Sequence, residues 1–161
     1  MTKKLLIIED DKVLNEMYAL KFTKEGYEVE SAYEWIEGLA KVADFNPDVI
    51  LLDLMMPSMN GFETLESIKN QTSSECKIII FTNIVDKDKI NKAIEMWADD
   101  YLIKADTTPS SAVEKVEKNL NKDKEIEKSP IYIKPGLNVF KMKNPLMPDA
   151  NDIEISINIK I

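Results

Sequence analysis

The chain has 161 residues, 44% apolar and 31% charged, which suits one packed domain with an appendage and argues against wholesale disorder. Its formal charge is −8, all 21 basic residues are Lys, and there is no His. Ser-His-Asp and Cys-His chemistry and His-ligated metals are thereby excluded. An acidic chain without Arg is also a poor phosphate-backbone binder, so no direct DNA binding is expected. The single cysteine, Cys76, rules out an internal disulfide and a thiolate zinc cage, and fits a reducing compartment.

In chain order, Leu5–Ile8 is a short apolar run that stops at Glu9-Asp10-Asp11, too short for a secretory core segment. It predicts a strand. Lys12–Lys24 follows as a helix with Val13, Met17 and Leu20 on its apolar face, stopped by Gly26. Tyr27–Ala32 reads as a second strand. Tyr33–Ala43 reads as a helix packing Trp35, Ile36, Leu39, Ala40 and Ala43. Asn46-Pro47-Asp48 is a turn, and Val49–Asp53 is the most apolar strand. A loop through Met56-Pro57-Ser58-Met59-Asn60-Gly61 leads to a helix with Phe62, Leu65 and Ile68 inward. Lys77–Thr82 is a strand, and Asp86 caps a helix bearing Ile90, Ala93, Ile94 and Trp97. Asp100–Lys104 is a short strand. Thr108-Pro109 opens the last helix, which packs through Val113, Val116 and Leu120. No run approaches the length needed to span a bilayer, so a cytoplasmic protein without membrane attachment is expected.

Apolar strands alternating with helices predict an α/β fold with a doubly wound parallel sheet covered on both faces. Such a sheet places its site at the carboxyl ends of its strands. Those ends carry Glu9, Asp10 and Asp11 after the first strand, Asp53 after the third, Thr82 after the fourth and Lys104 after the fifth. Crowded carboxylates repel unless a cation intervenes, and a hard divalent ion such as Mg²⁺ would relieve them. Lys104 and Thr82 could then donate to an anion beside the metal, as phosphoryl transfer requires. Asp53 would be the nucleophile, because a carboxylate alone among Leu51, Leu52, Leu54 and Met55 is costly without a role. The plainer readings are that Asp10 or Asp11 caps the helix at Lys12, and that Thr82 and Lys104 taken singly are ordinary strand ends.

At these residues the chain resembles the receiver domain of two-component response regulators, the chemotaxis-regulator-like, flavodoxin-like (βα)5 fold. The matching segments are Leu5–Asp11, Pro47–Pro57, Asn60-Gly61, Ile80-Phe81-Thr82 and Ala98–Lys104, within residues 3–121. The resemblance implies a five-stranded sheet of order 2-1-3-4-5. It implies that Asp53 accepts a phosphoryl group from the phosphohistidine of a sensor histidine kinase or a histidine phosphotransfer protein. It further implies that Asp10, Asp53 and the backbone carbonyl of Met55 ligate Mg²⁺ directly, with Glu9 acting through a metal-bound water. Thr82 and Lys104 would hold the phosphoryl oxygens, and Tyr101 would be the switch aromatic that follows Thr82 inward. Such a domain is a phosphoacceptor switch for a downstream protein target, not an enzyme beyond its own phosphorylation and dephosphorylation. The competing readings are a phosphorylation-independent scaffold and an Asp-nucleophile phosphatase, for which 121 residues leave little room.

Three positions depart from the family pattern. Ala105 stands where a Pro with a cis bond usually follows the Lys; a cis bond before a non-Pro residue costs ~3 kcal/mol, so a trans bond is expected, with Lys104 slightly displaced. Asn83 replaces a small residue and is expected to narrow the phosphoryl site, an effect that phosphate loss from Asn83→Ala would expose. Trp97 replaces a common Gly and reads as a core filler. The family's Arg-based dimer contact cannot form in a chain without Arg, and homodimerisation is left open. Residues 122–161 are an extension outside the pattern, giving domains 1–121 and 122–161. The last helix is expected to continue until Pro130, with Ile131–Ile133 a short strand and Pro135-Gly136 a turn. Ile153, Ile155, Ile157, Ile159 and Ile161 alternate with polar residues as a half-buried strand does. That strand would pair as a hairpin, join the sheet edge or bind a partner; otherwise the segment is a weakly ordered tail.

Overall fold

The computed structural model describes residues 2–57, 61–73, 75–83, 86–96, 98–127, 136–142 and 153–159. Two units divide the chain, Met1–Lys124 and Glu125–Ile161. The first contains β1 (Lys4–Ile8), α1 (Lys12–Lys24), β2 (Glu28–Ala32), α2 (Trp35–Phe45), β3 (Val49–Leu52), α3 (Gly61–Gln71), β4 (Lys77–Thr82), α4 (Lys87–Glu95), β5 (Asp100–Ile103) and the start of α5 (Pro109–Glu127). The strands form one parallel sheet of order β2-β1-β3-β4-β5. The order reverses between β1 and β3, which opens a crevice at their carboxyl ends.

The central strands β1, β3 and β4 are apolar on successive residues because both of their faces are covered. Alternation along each strand splits them between two cores. Leu6, Ile8, Ile50, Leu52, Ile78 and Ile80 pack with Trp35, Val42, Phe45, Leu65, Ile68 and Ala93 from α2, α3 and α4. Leu5, Ile7, Val49, Leu51, Ile79 and Phe81 pack on the other face with Tyr18, Phe22, Val113 and Val116 from α1 and α5. The edge strands β2 and β5 are only partly buried, which their mixed composition anticipates. Gly26 (φ 89°) and Asn46 (φ 50°) adopt the left-handed conformation just past α1 and α2, where the helices must stop.

Two helices bury different residues from those their sequence periodicity favours. On α1, Val13, Met17 and Leu20 are 79%, 43% and 58% exposed, and the inward face is Asn15, Tyr18 and Phe22. Apolar residues surround this helix, and the two aromatics bury the larger area, so they set its rotation. Asn15 is inward because its side-chain amide donates to the carbonyls of Glu9 (3.1 Å) and Ala32 (3.3 Å), which ties β1 to β2 at the site edge. On α2, Ile36 is 74% exposed, Ala40 and Ala43 face outward, and Trp35, Gly38, Val42 and Phe45 turn in. Gly38 lets α2 approach β1 closely there, since a Cβ would lie 2.8 Å from Cδ1 of Ile8 and that side chain would have to shift.

The amino-terminal edge of the sheet is closed by carboxylates. Asp48 accepts from the Lys4 amide (2.7 Å) and the Lys3 ammonium (3.2 Å). Asp99 accepts from the Ile78 amide (2.9 Å) and pairs with Lys77 at 3.5 Å.

In the second unit, β6 (Gly136–Met142) pairs antiparallel with β7 (Ile153–Ile159), placing Phe140 opposite Ile155 and Met142 opposite Ile153. The alternating isoleucines thus form a strand, and its partner is a segment that sequence reading treats only as the end of a turn. The expected strand Ile131–Ile133, the stop at Pro130, Pro135 and Trp97 lie outside the described residues. Among the described residues, no helix is long and apolar enough to cross a membrane.

Candidate functional site

Asp53 follows β3 directly, so the burial of Val49–Leu52 carries it into the crevice, where it is 3% exposed. Its amide donates to the Ile8 carbonyl at 3.0 Å, which sets it beside Glu9 at the end of β1. One carboxylate oxygen, Oδ1, accepts from the Met55 amide at 2.9 Å, and the other, Oδ2, lies 2.6 Å from the Lys104 ammonium. Lys104 also reaches Glu9 Oε2 at 2.5 Å and stands 5.5 Å from the Phe81 ring centre. One cation therefore bridges two buried carboxylates.

Glu9, Asp10 and Asp53 each present an oxygen within 4.8 Å of the others, Glu9 and Asp53 buried and Asp10 exposed. Asp11, not Asp10, caps α1: its carboxylate accepts from the Leu14 amide at 3.0 Å. Asp10 is thereby left for other work. Burial pushes the Glu9 carboxyl above its usual range, although its bond to Lys104 pulls the other way. Burial alone would lower the Lys104 ammonium, but its bonds to Asp53 and Glu9 outweigh that and hold it above its usual value. An all-oxygen donor set with more negative charge than Lys104 neutralises matches the preference of a hard divalent cation.

Thr82 ends β4, next to β3, and is fully buried. Tyr101 lies on the edge strand β5, 39% exposed, with the Lys115 ammonium 5.6 Å from its ring centre. Met55 is 60% exposed, and it is its amide that engages Asp53 in this structure. Lys104 lies one residue past β5, in a single 3-10 turn from Lys104 to Asp106, and not in the strand. Among the described residues there is no cis peptide bond, so Lys104–Ala105 is trans, and Lys104 still reaches Asp53. A cavity of about 320 Å³ opens beside Asp10, walled by Trp35, Met56 and Pro57 among others. Trp35 at this wall was legible only as a core residue, because nothing in its spacing ties it to Asp10.

Comparison with known proteins agrees with this fold. Residues 5–117 match the family model of the response regulator receiver domain. The chain is 40% identical over 101 residues to the response regulator ArlR of Staphylococcus aureus, covering 62% of this chain and 45% of that protein. It thus spans less than half the length of the curated relatives it matches. A CheY-like receiver domain from Methanospirillum hungatei superposes with a TM-score of 0.72 at 28% identity, covering 78% of this chain and 99% of that one. The chemotaxis protein CheY4 of Vibrio cholerae superposes at 0.68 with 27% identity, covering 74% and 100%. The chain belongs to the response regulator receiver domain family.

Proposed function

We propose that Asp53 accepts a phosphoryl group from the phosphohistidine of a sensor histidine kinase or histidine phosphotransfer protein. The carrying observation is the buried Asp53 carboxylate, paired with Lys104 at 2.6 Å and grouped with Glu9 and Asp10. An Asp53 oxygen attacks phosphorus, and the phosphorus–nitrogen bond breaks with its electron pair leaving on the donor imidazole. The product is an acyl phosphate on Asp53. Lys104 would follow the charge onto the phosphoryl oxygens, and Thr82 would donate to them.

Mg²⁺ fits the donor set. Asp10, Asp53 and the Met55 carbonyl would hold it, with Glu9 acting through a water. When bound, it supplies neutralisation of charge at the phosphoryl oxygens. Phosphorylation would draw Thr82 toward the phosphoryl group and let Tyr101 turn inward, changing a face that a downstream protein reads. In this reading the chain is a cytoplasmic signalling domain that acts on proteins and not on DNA. Residues 1–121 hold the switch, and 122–161 are a C-terminal extension to it.

Intact-mass measurement after incubation with Mg²⁺ and acetyl phosphate tests the reading. One added phosphoryl group on the wild type, absent from Asp53→Asn, is expected. Multiple turnover of a phosphoester would instead indicate a phosphatase. No adduct, even with candidate kinases, would indicate a scaffold.

A further inference from the structure

The turn that carries Lys104 has little to hold it from within. It is one 3-10 turn, closed by a Thr107 amide to Lys104 carbonyl bond of 3.4 Å and by the Thr107 hydroxyl donating to the Ile103 carbonyl at 2.7 Å. Isolated 3-10 turns have poor hydrogen-bond geometry. Ala105 gives the turn ordinary backbone freedom where a proline would restrict it. Yet Lys104 must keep its ammonium within hydrogen-bond reach of two carboxylates.

Tyr18, on the inward face of α1, meets that turn from outside. Its hydroxyl donates to the Thr107 carbonyl at 2.7 Å, across 89 positions of sequence. Its ring stands edge to face with Phe81, centroids 4.7 Å apart at 63°. Phe81 is the ring that the Lys104 ammonium approaches at 5.5 Å. One buried side chain therefore touches both the backbone after Lys104 and the aromatic beneath its charge. A phenol is protonated at neutral pH and burial raises this one further, so the hydroxyl is a donor.

We propose that Tyr18 is a positioning residue for phosphoryl transfer, holding the Lys104 turn so that the ammonium rests between Asp53 and Glu9. This rests on the phosphoacceptor reading above. Small displacements of a charge-stabilising group are costly to a reaction that depends on positioning.

The test uses the full chain and Tyr18→Phe, which keeps the ring and its Phe81 contact and deletes one donor. Phosphorylation by acetyl phosphate with Mg²⁺ is timed in the wild-type and Lys104→Ala backgrounds. The side-chain ammonium resonance of Lys104 is recorded by NMR without phosphodonor. Tyr18→Phe is expected to slow phosphorylation about five-fold, as loss of one hydrogen bond would, and to shift the Lys104 resonance. In the Lys104→Ala background it is expected to cause no further loss. Equal fractional losses in both backgrounds, or an unmoved resonance with a wild-type rate, would overturn the proposal. If Tyr18→Phe folds poorly, Thr107→Val loosens the same turn and should give the same dependence on Lys104. A wild type that takes no phosphoryl group would refute the phosphoacceptor reading instead, and the Lys104 resonance would then decide the role of Tyr18 by itself.

Discussion

Glu9 and Lys104 meet at 2.5 Å, their side chains 1% and 9% exposed. The pair is favourable, yet the Glu9 carboxyl is still held above its usual 4.5 by burial. The folded state therefore binds this proton more tightly than the unfolded chain does. Between pH 4.5 and the raised value, the Glu9 contribution to stability falls as pH rises. Glu9→Gln should flatten that part of the stability profile, because it removes the group whose titration produces it. Urea unfolding of both proteins across the acid range measures it. A steeper fall in the variant would contradict the assignment.

Asp10 and Asp11 are neighbours with separable work. Asp11→Ala removes the α1 cap bond to the Leu14 amide and should cost about 1 kcal/mol while leaving Mg²⁺ affinity unchanged. Asp10→Asn should do the reverse, lowering Mg²⁺ affinity about ten-fold or more with little change in the urea midpoint without metal. Calorimetric titration with Mg²⁺, paired with urea melts, checks both halves. The reading is wrong if both variants lose the same property.

Gly61 opens α3 against the backbone that follows Asp53. A Cβ there would lie 2.5 Å from the Leu54 carbonyl oxygen and 2.7 Å from its Cα, both main-chain atoms with no side chain to yield. Gly61→Ala should cost about 2 kcal/mol and slow Asp53 phosphorylation, because the chain that shifts carries the Met55 amide. An unchanged urea midpoint would mean that α3 moves away freely.

Cys76 is 2% exposed, and burial pushes its thiol up to about 12. A thiol reagent at neutral pH should therefore label it at least ~100-fold more slowly in the folded protein than in urea. Its labelling rate reports opening of the core near the start of β4. Rapid labelling without denaturant would show that this end of the sheet opens readily.

Much of the sheet and the set of strand-end residues could be read from the chain, because both follow from local pattern. Val49–Leu52 and Lys77–Thr82 are apolar at successive positions, and only a strand covered on both faces needs that. Asp53 is conspicuous because a carboxylate in such a run is expensive. Helix rotation was less legible. Val13, Met17 and Leu20 are as helically spaced as Tyr18 and Phe22, and only the sheet beneath α1 chooses between the stripes. The inward Asn15 breaks the apolar pattern for a reason visible only in space, its bonds to the Glu9 and Ala32 carbonyls. Strand β6 was not legible either, since its pairing with the isoleucine strand is fixed across the chain and not within it.

The acidic side chains at the two rims of the sheet carry opposite duties. Asp48 and Asp99 close backbone amides at the amino-terminal rim, while Glu9 and Asp53 at the other rim share a single ammonium. Substitutions at Asp48 or Asp99 would lower heat tolerance without entering the chemistry. On the phosphoacceptor reading, those at Glu9 or Asp53 would alter phosphorylation with modest effect on melting. A protein engineer could therefore tune durability and signal lifetime on separate dials.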